Sequence, residues 1–128
     1  MINSGRLSVP FKLNGLKIDN EYKDDPLLGS IYIDFPILDR KGNRLFLTDL
    51  ITNSYGLLSF SKIKMELPID LNIISVGEKS NEDMDFSDVE GKGLERYTLD
   101  LNYLIRPDGY IVAIFKEVNI KALERCML

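Results

Sequence analysis

One hairpin near the end of the chain constrains the fold more than any other feature. Residues Tyr110 to Phe115 read YIVAIF and are apolar on both alternating faces. Such a strand needs cover on both sides, which is typical of a sheet in an α/β protein. Pro107, Asp108 and Gly109 separate it from another apolar run, Tyr103 to Arg106, so they predict a tight turn. We therefore expect an antiparallel hairpin buried between two layers.

The remaining apolar runs predict the rest of the sheet. We expect a hairpin between residues 31 and 47 and two buried strands, Tyr55 to Phe60 and Leu71 to Val76. Capping and turn residues predict short helical segments at 49–53, 61–66, 93–99 and 119–127. From Tyr55 onward the order is β-α-β-α-β-β-α, which is that of the thioredoxin fold. The predicted class is α/β, thioredoxin-like, with a mixed sheet of four to five strands and helices on both faces.

The length of 128 residues fits one domain. Residues 1–28 contain repeated Gly, Pro and Asn breaks, which predict an extended arm or linker before a compact domain at 29–128. A small first strand or a disordered tail is the alternative for this segment. The arm carries apolar side chains that we expect to contact a partner: Leu7, Val9, Phe11, Leu13, Leu16 and Ile18.

Composition excludes several function classes. The formal net charge is 16 − 20 = −4, which is not expected of a nucleic-acid-binding protein. The chain has no histidine, so a Ser-His-Asp triad and His-containing metal sites are impossible. It has one cysteine, Cys126, so it cannot form an intrachain disulfide. We find no signal peptide and no apolar run of about 20 residues, and we predict a cytoplasmic protein without membrane contact.

The positions that carry redox chemistry in thioredoxins hold other residues here. The reactive CxxC follows the first core strand, where this chain has Ser61-Lys62-Ile63-Lys64. The proline that faces it precedes the third core strand, where this chain has Leu101-Asn102. Dithiol exchange needs two thiols, so thioredoxin-type activity is excluded. An enzyme that uses Cys126 alone stays a third hypothesis, although we expect this cysteine to be buried and structural.

Two polar segments resemble ligand sites. Residues 91–96 contain Gly91-Lys92-Gly93, but the third glycine of a dinucleotide motif is missing. We expect a loop there and no phosphate site. An acidic run has the residue types that bind calcium but fails the EF-hand pattern, so we expect a solvated loop and no metal: Glu82, Asp83, Asp85, Asp88 and Glu90.

The two ends of the chain resemble a known family. Residues 2–8 read INSGRLS and residues 103–111 read YLIRPDGYI. Arg96-Tyr97, and Ala122 with Arg125-Cys126, fall where the same pattern has them. The chain resembles the C-terminal domain of FAD-dependent aromatic monooxygenases of the phenol hydroxylase and 3-(3-hydroxyphenyl)propionate hydroxylase type. In that family this domain is thioredoxin-like and lacks the redox cysteines.

The resemblance implies a function that this chain cannot perform alone. FAD and NAD(P)H would bind the parent enzyme's flavin-binding domain, whose GxGxxG motif is missing here. No catalytic residue of the family has a matching position in this chain, and we assign it no cofactor. The implied role is structural, with Arg106, Pro107, Asp108 and Gly109 forming a structural hairpin. The expected partner is the flavin-binding domain or a second copy; the alternative is a stand-alone, homodimeric interaction module.

Overall fold

Seven strands form one mixed sheet in this computed structural model, which describes residues 22–63, 66–67, 70–78 and 83–127. The spatial order of the strands is β2-β1-β5-β4-β3-β6-β7. The strands, in chain order, are β1 Pro36–Asp39, β2 Arg44–Phe46, β3 Gly56–Ser59, β4 Asn72–Gly77, β5 Phe86–Ser87, β6 Asn102–Ile105 and β7 Ile111–Phe115. A 3₁₀ helix at Leu47–Leu50 follows β2, and the α-helix α1, Ile120–Cys126, follows β7.

The middle of the sheet has the arrangement that the sequence predicts. β3 and β4 pair in parallel, and Leu58 lies beside Ile74. β6 runs antiparallel to β3, and β7 runs antiparallel to β6. The central mixed sheet and its C-terminal antiparallel hairpin are therefore confirmed.

The predicted strand count and the predicted cover of helices on both faces are wrong, whereas the helix predicted at 119–127 is confirmed as α1. The sheet has seven strands, because the N-terminal hairpin joins it through β5, a two-residue strand inside the stretch expected to be a polar loop. Helices do not cover both faces, since the described residues contain one α-helix. Residues 93–99 form turns in which the amide of Tyr97 donates to the carbonyl of Gly93. A single turn that begins at glycine is too short to propagate a helix.

Alternation along the strands divides the core between two faces of the sheet. The first face carries Ile74, Tyr103 and Ile105, and the second face carries Leu57 and Leu104. The helix α1 covers the second face with Leu123 and Cys126, both buried. It begins at Asn119, whose side-chain oxygen accepts a hydrogen bond of 3.1 Å from the amide of Ala122.

A cluster of aromatic side chains fills the first face. The ring of Tyr97 lies 5.6 Å from Phe35, 5.8 Å from Phe60 and 5.0 Å from Tyr103, measured between centroids. Tyr97 and Tyr103 are 3% and 0% exposed. Burial raises the pKa of both phenols above its ordinary value, since an ionised phenolate is costly away from water.

Residues 22–34, which we call the N-terminal strap, cover part of the first face. The amide of Gly29 donates to the carbonyl of Ile111 at 2.8 Å, and the amide of Tyr32 donates to the carbonyl of Gly109 at 2.9 Å. Tyr22, Leu27 and other strap residues pack partly buried against the core. Residues 22–28 of the predicted arm thus contact the sheet. The six arm residues from Leu7 to Ile18 lie outside the described residues.

We expect the protein to lose stability above about pH 10. Unfolding returns the Tyr97 phenol to its ordinary pKa of 10.0, so the unfolded chain releases a proton that the folded chain keeps. The contribution of Tyr97 to the free energy of unfolding is fully present below pH 10 and falls by about 1.4 kcal/mol per pH unit above it. Urea unfolding at pH 8 to 11 measures this slope. Tyr97→Phe should reduce this slope without abolishing it, because the pKa of Tyr103 is raised as well. An unchanged slope in that variant would contradict the prediction.

Candidate functional site

Three buried polar side chains form a row across the middle of the sheet. Ser59 of β3 lies beside Ser75 of β4 and beside Asn102 of β6. Their exposed fractions are 0%, 8% and 3%. The row lies at the carboxyl ends of two parallel strands, a position where α/β proteins commonly bind ligands. It is therefore the first place in this fold to examine for function.

The row corresponds to the position of the missing redox site. Ser61, the first residue of the CxxC-equivalent segment, follows β3 after Phe60, and Asn102 begins β6. Pairing of β3 with β6 brings these two segments together, as the sequence predicts. Lys64, the last residue of that segment, lies outside the described residues.

The serine hydroxyls of this row hold loops in place. Ser59 Oγ donates to the carbonyl of Ser61 at 2.6 Å and accepts from its amide at 3.2 Å. Ser75 Oγ accepts from the amide of Asp85 at 3.1 Å. Ser75 Oγ also donates to the carboxylate of Asp85 at 3.3 Å. Both hydroxyls thus hold neighbouring loop residues, so we assign them a structural role.

Asn102 ties the end of β7 to β6. Its Nδ2 donates to the carbonyls of Phe115 and Lys116 at 3.1 and 3.3 Å. Its Oδ1 is buried and has no hydrogen-bond partner within the described part of the chain, which costs on the order of 1–3 kcal/mol. The residue thus stabilises the exit toward α1 at the expense of an unpaired acceptor.

Cys126 lies in α1 and is 3% exposed, so its predicted burial is confirmed. Burial raises the pKa of the thiol, although the neighbouring Arg125 lowers it by a smaller amount. A thiol that stays protonated is a poor nucleophile. This environment disfavours the hypothesis of a single-cysteine enzyme.

The hairpin residues predicted to be structural form a fixed turn. Arg106 Nε donates to both carboxylate oxygens of Asp108, at 2.9 and 3.0 Å. The amide of Gly109 donates to the carbonyl of Arg106 at 2.8 Å, and Gly109 has a φ of 94°. The guanidinium lowers the pKa of the Asp108 carboxyl and lies 5.7 Å from the ring centre of Tyr110. Pro107 lies exposed at the turn.

The glycine-rich loop, residues 91–96, binds the carboxylate of Asp88 through two of its backbone amides. The carboxylate of Asp88 accepts from the amide of Gly93 at 3.1 Å and from the amide of Leu94 at 2.9 Å. A Cβ on Gly93 would lie 2.5 Å from the ring of Phe35 and 2.9 Å from Asp88 Oδ2. Glycine is therefore required for close packing against a buried carboxylate.

Asp88 corrects the prediction that the whole acidic run is solvated. It is 1% exposed, because it satisfies amides that the turn at 93–97 leaves unpaired. Asp83, Asp85 and Glu90 are exposed, Glu90 pairs with Arg44 at 2.9 Å, and Glu82 lies outside the described residues. Within the described ranges, no three His, Cys, Asp or Glu side chains form a group that could hold a metal ion.

Sequence reasoning missed Asp88, Ser59 and Ser75 as buried polar residues. A signal exists for the serines, since each interrupts an apolar run, LLSF and IISV. The burial of Asp88 depends on a loop that closes over five residues to Gly93. Its signal, an aspartate followed by a glycine-rich segment, is also typical of solvated loops.

Comparison with known proteins supports the fold and leaves the family open. No family model and no curated protein matches the sequence. The structure resembles the flavin-dependent monooxygenase PieE, solved with FAD and substrate, with a TM-score of 0.57 and 15% identity over 78% of this chain and 19% of that one. It also resembles aklavinone-11 hydroxylase, solved with FAD and aklavinone, with a TM-score of 0.55 and 20% identity over 76% of this chain and 20% of that one.

A thioredoxin domain matches over a larger share of its own length. The thioredoxin domain of the thiol-disulfide oxidoreductase BVU-2223 from Bacteroides vulgatus has a TM-score of 0.53 and 18% identity, covering 77% of this chain and 96% of that one. Identities this low show a thioredoxin-like fold alone. This chain spans about a fifth of the length of the two monooxygenases. No helix in the described part is long and apolar enough to cross a membrane.

We expect Gly109→Ala to lower the free energy of unfolding by about 1–3 kcal/mol. Its φ of 94° is unfavourable for alanine, and the new Cβ would lie 3.3 Å from the ring of Tyr32. Gly42→Ala is the matched control, because Gly42 has a φ of 87° with nothing within 4 Å of the added Cβ. Urea unfolding of both variants measures the difference. Equal losses would show that the Tyr32 contact contributes nothing.

We expect Cys126 to react slowly with a thiol reagent in the native protein, at least about tenfold slower than after denaturation, because it is buried and protonated. Absorbance of the released chromophore measures the rate, and Cys126→Ser provides the blank. Stoichiometric labelling of the native protein within the mixing time would instead restore the single-cysteine enzyme hypothesis.

Proposed function

We propose that this chain is a non-catalytic, thioredoxin-like C-terminal domain of a FAD-dependent aromatic-ring monooxygenase. Its role would be to cover the flavin-binding body and to contribute to subunit contacts. The observation that carries the proposal is the fold match to about a fifth of two flavin-dependent hydroxylases. The resemblance of the segment around Arg106–Gly109 to the family's final hairpin adds to it.

The glycine-rich loop lacks the free amides that the pyrophosphate of FAD would need. The segment that most resembles a dinucleotide loop, Gly91-Lys92-Gly93, has the amide of Gly93 bound to the carboxylate of Asp88. The pyrophosphate of FAD would meet this buried negative charge in place of free amides. We therefore propose that FAD and NAD(P)H bind the parent enzyme's flavin-binding domain and that this chain supplies no reacting group.

The candidate site favours a structural role over a catalytic one. Its hydroxyls, on Ser59 and Ser75, are bound to Ser61 and Asp85, and the single thiol, on Cys126 of α1, is buried. What the domain offers a partner is its surface and its N-terminal arm. The flavin-binding body is the partner we propose.

A stand-alone interaction module, homodimeric through the arm, is the second candidate. It is supported by the match to 96% of a separate thioredoxin domain, since a chain of this size can form that fold by itself. Light scattering distinguishes the two candidates: a dimer that becomes monomeric after deletion of residues 1–21 supports the module. A monomer with and without the arm counts against it.

We expect the purified chain to be colourless and to form no equimolar complex with FAD, because Asp88 occupies the loop amides a pyrophosphate would need. Fluorescence titration of FAD with the protein measures binding. Asp88→Asn, which removes the negative charge of this side chain, is the matched control for repulsion between Asp88 and the pyrophosphate of FAD. A yellow preparation with stoichiometric flavin would contradict the proposal.

The positive test is genetic and biochemical. We expect the source DNA to encode a flavin-binding domain with a GxGxxG motif in frame with this chain or directly beside it. Co-expression should then yield one complex that carries FAD, and removal of this chain should weaken subunit contacts. An upstream region without a flavoprotein, or two proteins that do not co-purify, would overturn the proposal.

A further inference from the structure

We propose that the N-terminal strap, residues 22–34, detaches from the sheet as a unit while the rest of the chain stays folded, and that the hydroxyl of Tyr97 is its latch. This inference does not rest on the proposed function. It rests on how the strap is attached and on what remains when it leaves.

The hydroxyl of Tyr97 binds the backbone of the strap in the way that a neighbouring strand would. Tyr97 Oη donates to the carbonyl of Ile33 at 2.6 Å and accepts from the amide of Ile33 at 2.7 Å. One side chain thus satisfies both backbone groups of a residue 64 positions away. The ring itself belongs to the aromatic cluster beside Phe35 and Tyr103, so it stays with the sheet when the strap leaves.

The second attachment is the outer edge of β7. The amide of Gly29 donates to the carbonyl of Ile111 at 2.8 Å, and the amide of Ile111 donates to the carbonyl of Ser30 at 2.8 Å. Ile31 forms an isolated antiparallel bridge with Tyr110. The strap is therefore a short added strand on an edge, and edges can exchange what they pair with.

Burial differs between the strap and the residues beneath it. Leu27, Leu28 and Tyr32 are partly buried, and Ile31 is 53% exposed. Tyr103 and Ile111, which lie in the same cluster, are 0% exposed. The second-face cluster contains no strap residue among those described. Loss of the strap thus removes few fully buried side chains, which is typical of segments that open below the global unfolding free energy.

The strap has a fixed end at its junction with β1. Phe35 is 3% exposed, and its carbonyl accepts from the amide of Leu47 at 3.0 Å. We infer that the strap pivots near Asp34 and that its other end, at Tyr22, moves furthest. Opening frees the backbone groups of Ile111 on the edge of β7, which an extended segment can pair with.

Native-state amide exchange, followed by NMR on the full chain, tests the proposal. We expect the amides of Gly29, Tyr32 and Ile111 to share one protection factor, lower than that of the amides in β3 and β6. Their exchange should depend weakly on low concentrations of denaturant, since little surface is exposed. Protection equal to that of β3 and β6, with the same denaturant dependence, would overturn the proposal.

A pair of variants tests the latch. Tyr97→Phe should speed exchange at Gly29, Tyr32 and Ile111 by at least about tenfold relative to β3, because it removes both hydrogen bonds to Ile33. The acceptors of these three amides are untouched by the substitution, so a merely local change would leave them unaffected.

Tyr103→Phe is the matched control for the latch. Its hydroxyl is also buried and accepts from the amide of Thr98 at 2.7 Å, outside the strap. It should speed exchange at Thr98 and leave the strap unchanged. Equal effects of both variants on the strap would refute the latch. If Tyr97→Phe does not fold, the wild-type exchange pattern decides the proposal by itself.

Discussion

The structure depends on the need to cover both faces of the β6–β7 hairpin. Tyr103, Leu104 and Ile114 are almost completely buried, and neighbours on the same strand point to opposite faces. On the second face, α1 supplies the cover through Leu123 and Cys126. On the first face, loops and the strap supply it, with an aromatic cluster between them and the sheet. Because loops cover the first face, side chains from elsewhere in the chain must bind the loop backbone.

Loops over an apolar face need polar contacts, because their backbone groups have no regular partners. The hydroxyl of Tyr97 binds the amide and the carbonyl of Ile33. The carboxylate of Asp88 accepts from the amides of Gly93 and Leu94. Each uses a buried polar atom to fix a segment that a helix or strand would otherwise fix. The side-chain amide of Asn102 binds the carbonyl of Phe115 at the end of β7, but its Oδ1 has no partner among the described residues. Structural polar residues thus account for what first resembles a site.

Because its buried polar side chains hold loops, the fold can keep the position of a redox centre without the chemistry of that centre. Pairing of β3 with β6 still brings Ser59 and Asn102 together, next to the positions of a dithiol and its proline in thioredoxins. With serine and asparagine there, the same geometry serves to hold loops. The strap, whose detachment we propose, is held to this scaffold by the edge of β7 and by Tyr97.

The strands and their pairing were predictable because local pattern determines them. YIVAIF and the Pro107-Asp108-Gly109 turn indicate the final hairpin, and the single cysteine excludes dithiol chemistry before any coordinates are known. The helix expected at 93–99 does not extend beyond one turn because the amide of Thr98 donates to the hydroxyl of Tyr103, a contact that propensity does not include. β5 was missed because two residues carry no periodicity.

The sequence by itself determined the two-sided burial of the last hairpin, its turn and the loss of redox thiols, since each follows from residues adjacent in the chain. The tertiary structure alone decided that Asp88 is buried, that Tyr97 holds Ile33, and that the serines of β3 and β4 align with Asn102. Those contacts join residues up to 64 positions apart, and their energies depend on burial, which no local pattern specifies.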